Sequence, residues 1–189
     1  MTQSAATGDV RADRCAELDA VFTSETAFRA FYERSLPRIF GYLFHRCGAD
    51  PSVAEELTQR TFIEAVKQRK TFDGRADPLT WLIAIARHKL ADHFRRLDSE
   101  EHRRLRLVVR EIAVADGDRV WRLTDERDAI VRVLGTLPPL QRAVLVLRYA
   151  DGLSVREIGQ QLGKSDSAIE SLLTRARDAF RRSYGGPDR

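Results

Sequence analysis

The most constraining stretch of this chain lies between residues 154 and 180. Ser154 precedes Val155, Ile158 and Leu162, an apolar face at helical spacing, and its hydroxyl is suited to cap that helix. Gly159 is small where a second helix must approach closely, and Gly163 can take the left-handed conformation that ends a helix. Ser165 can cap the next helix, and Ser167 with Glu170 offers an alternative capping box. On that second helix Ile169, Leu172, Leu173, Ala176 and Phe180 fall within one stripe of about 100° at about 100° per residue. Two short amphipathic helices joined by a tight glycine-containing turn make a helix-turn-helix, so this part of the chain is expected to be purely helical.

The rest of the chain reads the same way. Residues 1–24 are small, polar and without sustained periodicity, and are expected to be a mostly disordered leader, helical at most near Ala16–Phe22. Phe28, Phe31 and Tyr32, then Ile39, Leu43 and Phe44, predict two helices, 25–35 and 37–48, split at Pro37. After a turn at 48–51, Ala54, Leu57, Thr61 and Ala65 mark a buried face, with Phe62 and Val66 alongside. Residues 72–78 break the pattern as a loop, and a long helix follows over about 79–97. Residues 98–126 read as a charged linker with some helical patterning (Leu105, Val108, Val109, Ile112) and transient or partner-induced helix, and a helix resumes at 125–134. The run Val144–Leu147 fits a strand or a buried helix by periodicity. Its helical flanks and Gly152 favour the helix. The expected class is all-α: two small helical domains, 25–97 and 127–183, a flexible linker at 98–126 and a tail at 184–189.

Charge is unevenly spread along the 189 residues. Residues 28–97 carry net +5 and 127–189 net +4, while 1–27 carry −3 and 98–126 carry −2. Two basic modules on a tether suit bipartite binding to a polyanion, although solvated Arg-rich helices give the same arithmetic. The outer face of the 165–178 helix presents Ser167, Glu170, Ser171, Thr174 and Arg175, with Arg177, Arg181 and Arg182 around its later turns. Short polar side chains can reach base edges there while Arg holds phosphate, or the face can simply be wet. On the 79–97 helix, Leu79, Leu82, Ile83, Ala86, Leu90 and Phe94 form the core stripe. Trp81, Ile85, His88, Asp92, Arg95 and Arg96 lie opposite. An aromatic and an aliphatic among basic groups suit an unpaired strand, with Phe72 lining the same surface, unless Trp81 only caps a small core.

Other classes find less support. No run approaches the ~18 apolar residues of a membrane span, and no cleavable apolar leader follows Met1, so a cytoplasmic location is expected. Cys15, His45 and Cys47 are too scattered for a convincing metal or thiol site, and Cys47 reads as a small buried hydrophobe. No Gly-rich phosphate loop, paired carboxylates or Ser/His/Asp pattern stands out. No enzyme activity, metal or cofactor is therefore expected. The rival within DNA binding is a self-standing regulator, which predicts a dimer and a palindromic site.

These residues resemble the bacterial sigma-70 family, extracytoplasmic function (group 4) class. Glu55-Glu56-Leu57-Thr58-Gln59-Arg60-Thr61-Phe62 resembles region 2.2. Phe72-Asp73-Gly74 through Thr80-Trp81-Leu82, Ile85-Ala86-Arg87 and Asp92-His93-Phe94-Arg95-Arg96 resemble regions 2.3 and 2.4. Leu137-Pro138-Pro139-Leu140-Gln141-Arg142, Tyr149 to Ser154, Leu162-Gly163-Lys164-Ser165 and Arg175-Ala176-Arg177 resemble region 4. Each piece is weak alone; all of them in order, over residues 28–183, are specific.

The resemblance implies an alternative sigma factor, a dissociable promoter-recognition subunit of RNA polymerase. Glu56, Leu57, Gln59 and Phe62 would dock on the clamp helices of the polymerase core, with the flap as a further contact. Phe72, Trp81, Ile85, His88, Asp92, Arg95 and Arg96 would melt and hold the −10 element, where extruding a base must be repaid by stacking and hydrogen bonds. Lys164, Ser165, Ser167, Glu170, Ser171, Thr174, Arg175 and Arg177 would read the −35 duplex. The linker 98–126 would thread near the polymerase active-site cleft. The family pattern also implies a monomer when free and an anti-sigma factor, often membrane-anchored, as a separate partner. That partner is expected because the chain stops about seven residues after Arg181-Arg182 without a further domain. The sequence departs from the family pattern at Arg60, at Asp73-Gly74-Arg75 (commonly Arg-Gly-Asp), at Pro78, at His88 (commonly Asn), and at Glu170 and Leu172. The −10 and −35 preferences are therefore its own.

Overall fold

The computed structural model describes residues 3–108 and 126–184, with the side chains of 3–9, 102, 104–108 and 126–128 left aside. Among the described residues every regular element is helical. The chain divides into two compact units, residues 1–90 and 91–189.

In the first unit, α1 (Gln3–Thr23), α2 (Glu25–Arg46) and α3 (Pro51–Gln68) pack around the first part of α4 (Pro78–Val108). The expected disordered leader is instead the helix α1, which packs on α2 and on the short turn Arg69–Thr71. Leu18 and Val21 are buried, so α1 is held by its neighbour and not by its own composition.

The expected break at Pro37 is also absent, and α2 runs through it. Phe31, Ser35, Ile39 and Leu43 recur every four residues on its buried face, while Pro37 is exposed. A proline inside a helix costs about 3 kcal/mol, and the continuous buried stripe on both sides of Pro37 offsets it.

Local caps set the remaining boundaries. Ser24 Oγ accepts from Ala27 N at 3.3 Å at the start of α2. Asp50 Oδ1 accepts from Ser52 N at 3.0 Å and Val53 N at 3.3 Å at the start of α3. Cys47 is buried and its thiol faces the Phe44 and Asp50 carbonyls, as a small core residue would.

The helix expected over 79–97 is longer at its far end, reaching Val108, so the linker expected at 98–126 begins as helix. Residues 109–125, the rest of that linker, lie outside the described residues, as does the tail beyond Tyr184.

In the second unit, α5 (Glu126–Thr136) leads through Leu137-Pro138 into α6 (Pro139–Leu145), which widens into an i→i+5 turn over Val146–Ala150. The Val144–Leu147 run is the buried helix expected, not a strand. Then come α7 (Val155–Leu162) and α8 (Asp166–Tyr184), with α8 packed on α5, α6 and α7.

Candidate nucleic-acid interface

The turn between α7 and α8 is built by local chemistry. Ser154 Oγ accepts from Glu157 N at 3.2 Å, and the Glu157 carboxylate accepts from Ser154 N at 2.8 Å, closing a capping box. Gly163, at φ +65°, ends α7, and Lys164 N donates to Gly159 O at 3.0 Å. Ser165 Oγ then accepts from Ala168 N at 3.3 Å and opens α8.

Ile169, Leu172, Leu173 and Ala176 are buried, so Leu172, expected at the rim of the core stripe, belongs to the core. Ser165, Ser167, Glu170, Ser171, Thr174, Arg175 and Arg177 are all exposed, with Lys164 half-buried. Thr174 Oγ1 donates back to Glu170 O at 3.1 Å, and Arg175 Nε to Ser171 O at 3.3 Å. All eight residues expected to read a duplex thus lie on one turn and one outward helix face.

In the first unit, the loop 72–77 and the start of α4 form a second surface. Asp77 caps α4: its carboxylate accepts from Leu79 N and Thr80 N, each at 3.0 Å, and from Thr80 Oγ1 at 2.5 Å. The Thr80 hydroxyl, followed by the Thr80 amide, holds its pKa below the usual carboxylate range. Phe72 meets Trp81 edge-on, with ring centroids 5.4 Å apart, and both are half-buried. Trp81 therefore has both characters weighed from the sequence: it packs on Phe72 and still presents surface.

His88, Arg95 and Arg96 are exposed, and Asp92 pairs with Arg95. Ile85 is a correction. It is 5% exposed and lies in the core, because Leu82, Ile85, Ala86 and Leu90 bury α4 around more than one narrow stripe. It cannot face a strand.

The sequence gives no sign of what reaches this loop from behind. Arg11 donates to Asp73 O through Nε at 3.4 Å and Nη2 at 3.3 Å. Arg14 Nη1 donates to Gly74 O and Arg75 O, each at 3.4 Å, and the Cys15 thiol faces Phe72 O at 3.8 Å.

The third surface is the outer side of α3. Glu56 and Gln59 are exposed, and Glu56 pairs with Arg60 at 2.5 Å. Leu57 is fully buried and Phe62 is 5% exposed, tilted against Tyr32 with ring centroids 4.6 Å apart, so neither can touch a partner directly; this corrects the expected contact set. Ile63 and Val66 take their place on the surface, at 55% and 37% exposed. Their spacing from Gln59, four and seven residues, is the signal that could have found them.

Among the described residues no three His, Cys, Asp or Glu side chains converge as metal ligands, and no helix is long and apolar enough to cross a membrane.

Comparison with known proteins matches these elements in order. Residues 31–100 match the model for sigma-70 region 2, and residues 127–180 match the model for sigma-70 region 4. The chain is 31% identical over 177 residues to the ECF RNA polymerase sigma factor SigC of Mycobacterium tuberculosis, covering 94% of each chain. It is 33% identical over 159 residues to the ECF sigma factor BldN of Streptomyces coelicolor, covering 79% of this chain and 57% of that protein. The sigma factor RpoE of Bartonella quintana, solved with the anti-sigma factor NepR, shares the fold at a TM-score of 0.50 and 21% identity, covering 86% of this chain and 98% of RpoE.

The chain belongs to the sigma-70 family of RNA polymerase sigma factors. Within it, the chain is an alternative sigma factor of the extracytoplasmic function class.

Proposed function

We propose that the three surfaces divide the work of promoter use. The outer face of α3 (Glu56, Gln59 and Arg60, with Ile63 and Val66) docks on the clamp helices of core RNA polymerase. Leu57 and Phe62 serve that face by packing beneath it. Phe72, Trp81 and His88, with Asp92, Arg95 and Arg96 further along α4, engage the −10 element as it opens. An aromatic pair at the end of a loop can stack on an extruded base, and exposed Arg can hold the phosphates. Lys164, Ser165, Ser167, Glu170, Ser171, Thr174, Arg175 and Arg177 read the −35 duplex. Glu170 is suited to accept from a cytosine amino group.

The observation that carries this reading is the exposed polar face of α8, set over a capped helix-turn-helix and preceded in the chain by a region 2 match. The protein acts as a transcription initiation factor in the cytoplasm and not as an enzyme. An anti-sigma factor holds it inactive; RpoE, solved with NepR, is the related case.

The test is transcription by core polymerase with and without this protein on fragmented genomic DNA, with 5′ ends mapped. New starts sharing two upstream elements are expected. A dimer bound to a palindrome, with no new starts, would favour the self-standing regulator.

A further inference from the structure

The 72–77 loop is held by α1, a helix that lies before the residues matched to sigma-70 region 2. Four consecutive backbone carbonyls, those of Phe72, Asp73, Gly74 and Arg75, face donors from one turn and a half of α1: Cys15, Arg11 and Arg14. The approach is close. Gly74 has φ +68°, and a Cβ there would lie 2.3 Å from the Arg11 carbonyl oxygen and 3.0 Å from Cys15 Sγ. Leu18 and Val21, one and two turns further on, are buried and fix α1 in this position. The loop also braces itself, with Arg75 Nε 2.9 Å from Asp73 Oδ2 and Arg75 N donating to Asp73 Oδ1 at 3.1 Å.

We propose that α1 is a splint for the 72–77 loop, and that Arg11 and Arg14 are positioning residues for −10 recognition. The idea rests on the promoter reading above, in which Phe72 meets an unpaired base. An irregular six-residue loop is costly to order, and donors that hold its carbonyls in place reduce that cost. A loop already ordered in the free protein meets its base without that cost, and only the correct base matches its fixed shape. The arginines do this by spending their N–H groups on carbonyls and not on phosphates.

The test uses holoenzyme assembled from core polymerase and full-length protein. The probe is a single-stranded non-template oligonucleotide spanning the mapped −10 element, with versions carrying one substituted base. In the Arg11→Ala/Arg14→Ala double variant, affinity for the matched oligonucleotide should fall about tenfold, which is about 1.4 kcal/mol. Affinity for mismatched versions should barely change, so discrimination collapses. Core affinity and the melting temperature should stay near wild type. Arg11→Gln/Arg14→Gln, which keeps N–H donors without charge, should recover most of the discrimination.

An unchanged match-to-mismatch ratio overturns the proposal. So does a salt slope lowered by about 0.7 per arginine removed, the single-strand value, because that places the guanidinium groups on phosphate. Phe72→Ala separates the two readings. If it leaves the wild-type ratio untouched, the −10 assignment fails and the splint falls with it. If Phe72→Ala abolishes discrimination and the arginine variant does not, only the splint is wrong.

Discussion

Lys89 Nζ lies 2.6 Å from Glu64 Oε2 and ties α4 to α3 with both side chains about three-quarters covered. Gln68 Nε2 donates to the other carboxylate oxygen at 2.8 Å. The Lys89 hydrogen bond, with Gln68 second, holds Glu64 below its ordinary pKa. A depressed carboxylate pKa contributes stability that is present above the unfolded value, about 4.3, and is lost as pH falls through the folded value. Glu64→Gln should therefore lower stability at pH 7 by about 0.5–1 kcal/mol, the range for a partly exposed pair. Urea denaturation should show the gap between variant and wild type closing as the pH falls below about 4.

Arg142 belongs to the Leu-Pro-Pro-Leu-Gln-Arg motif, yet its guanidinium points inward. Nε donates to Leu134 O at 2.7 Å, and Nη2 donates to Gly135 O at 2.5 Å and Leu137 O at 3.4 Å, closing the end of α5 onto α6. Lysine keeps the charge but cannot span these carbonyls in one plane. Arg142→Lys should cost about 1.5–3 kcal/mol, the worth of one hydrogen bond to a charged group, because the ammonium can keep only one of the two short contacts. Chemical denaturation of the second unit's transition is the check, and −35 affinity of the folded variant should be unchanged.

Ile63 is exposed on α3 and Leu57 is buried, and the two should behave oppositely. Ile63→Asp changes a side chain that is 55% exposed, so the melting temperature should hardly move while core polymerase affinity drops by tenfold or more. Leu57→Ala should instead destabilise the first unit by about 2–5 kcal/mol, the cost of a buried cavity. Fluorescence anisotropy with core polymerase, alongside thermal melts, separates the two.

Arg175 is exposed, and only its Nε is engaged on α8 itself. Arg175→Ala should weaken binding to a −35 duplex and lower the slope of log K against log salt by about one if the contact is to phosphate. A specificity change at one base pair, with the slope intact, would place it on a base edge. Titrations at several salt concentrations against matched and single-substituted duplexes distinguish these outcomes.

The helix-turn-helix was legible in the sequence because its determinants are local: Ser154 with Glu157, Gly163 and Ser165 each act within a few residues. The two-region organisation was legible too, because the motifs fall in order. What escaped is set by distant neighbours. Nothing near Leu18 announces that α2 will cover it, and nothing near Pro37 says that Ser35 and Ile39 share a buried face. One narrow core stripe puts Ile85 outside it, whereas a central helix is covered from several sides. The motif around Phe62 points to a contact-forming residue, yet Tyr32, thirty positions earlier in the chain, packs its ring against it. The arginines of α1 stand one turn apart in a stretch with no sustained apolar stripe to mark it as a helix; their partners are backbone carbonyls about sixty residues away.

The ends of the 72–77 loop are set by groups that serve something else. Asp77 is committed to the first turn of α4, and Phe72 rests on Trp81. Between these anchors, the side chains of residues 73, 75 and 76 carry little of the fold, while Gly74 is fixed by the Arg11 carbonyl packed against it. Divergent chains of this architecture can therefore exchange the three side chains around Gly74, as Asp73-Gly74-Arg75 exchanges the order of a common triplet about its glycine, and on the promoter reading would acquire a new dialect while inheriting the same frame.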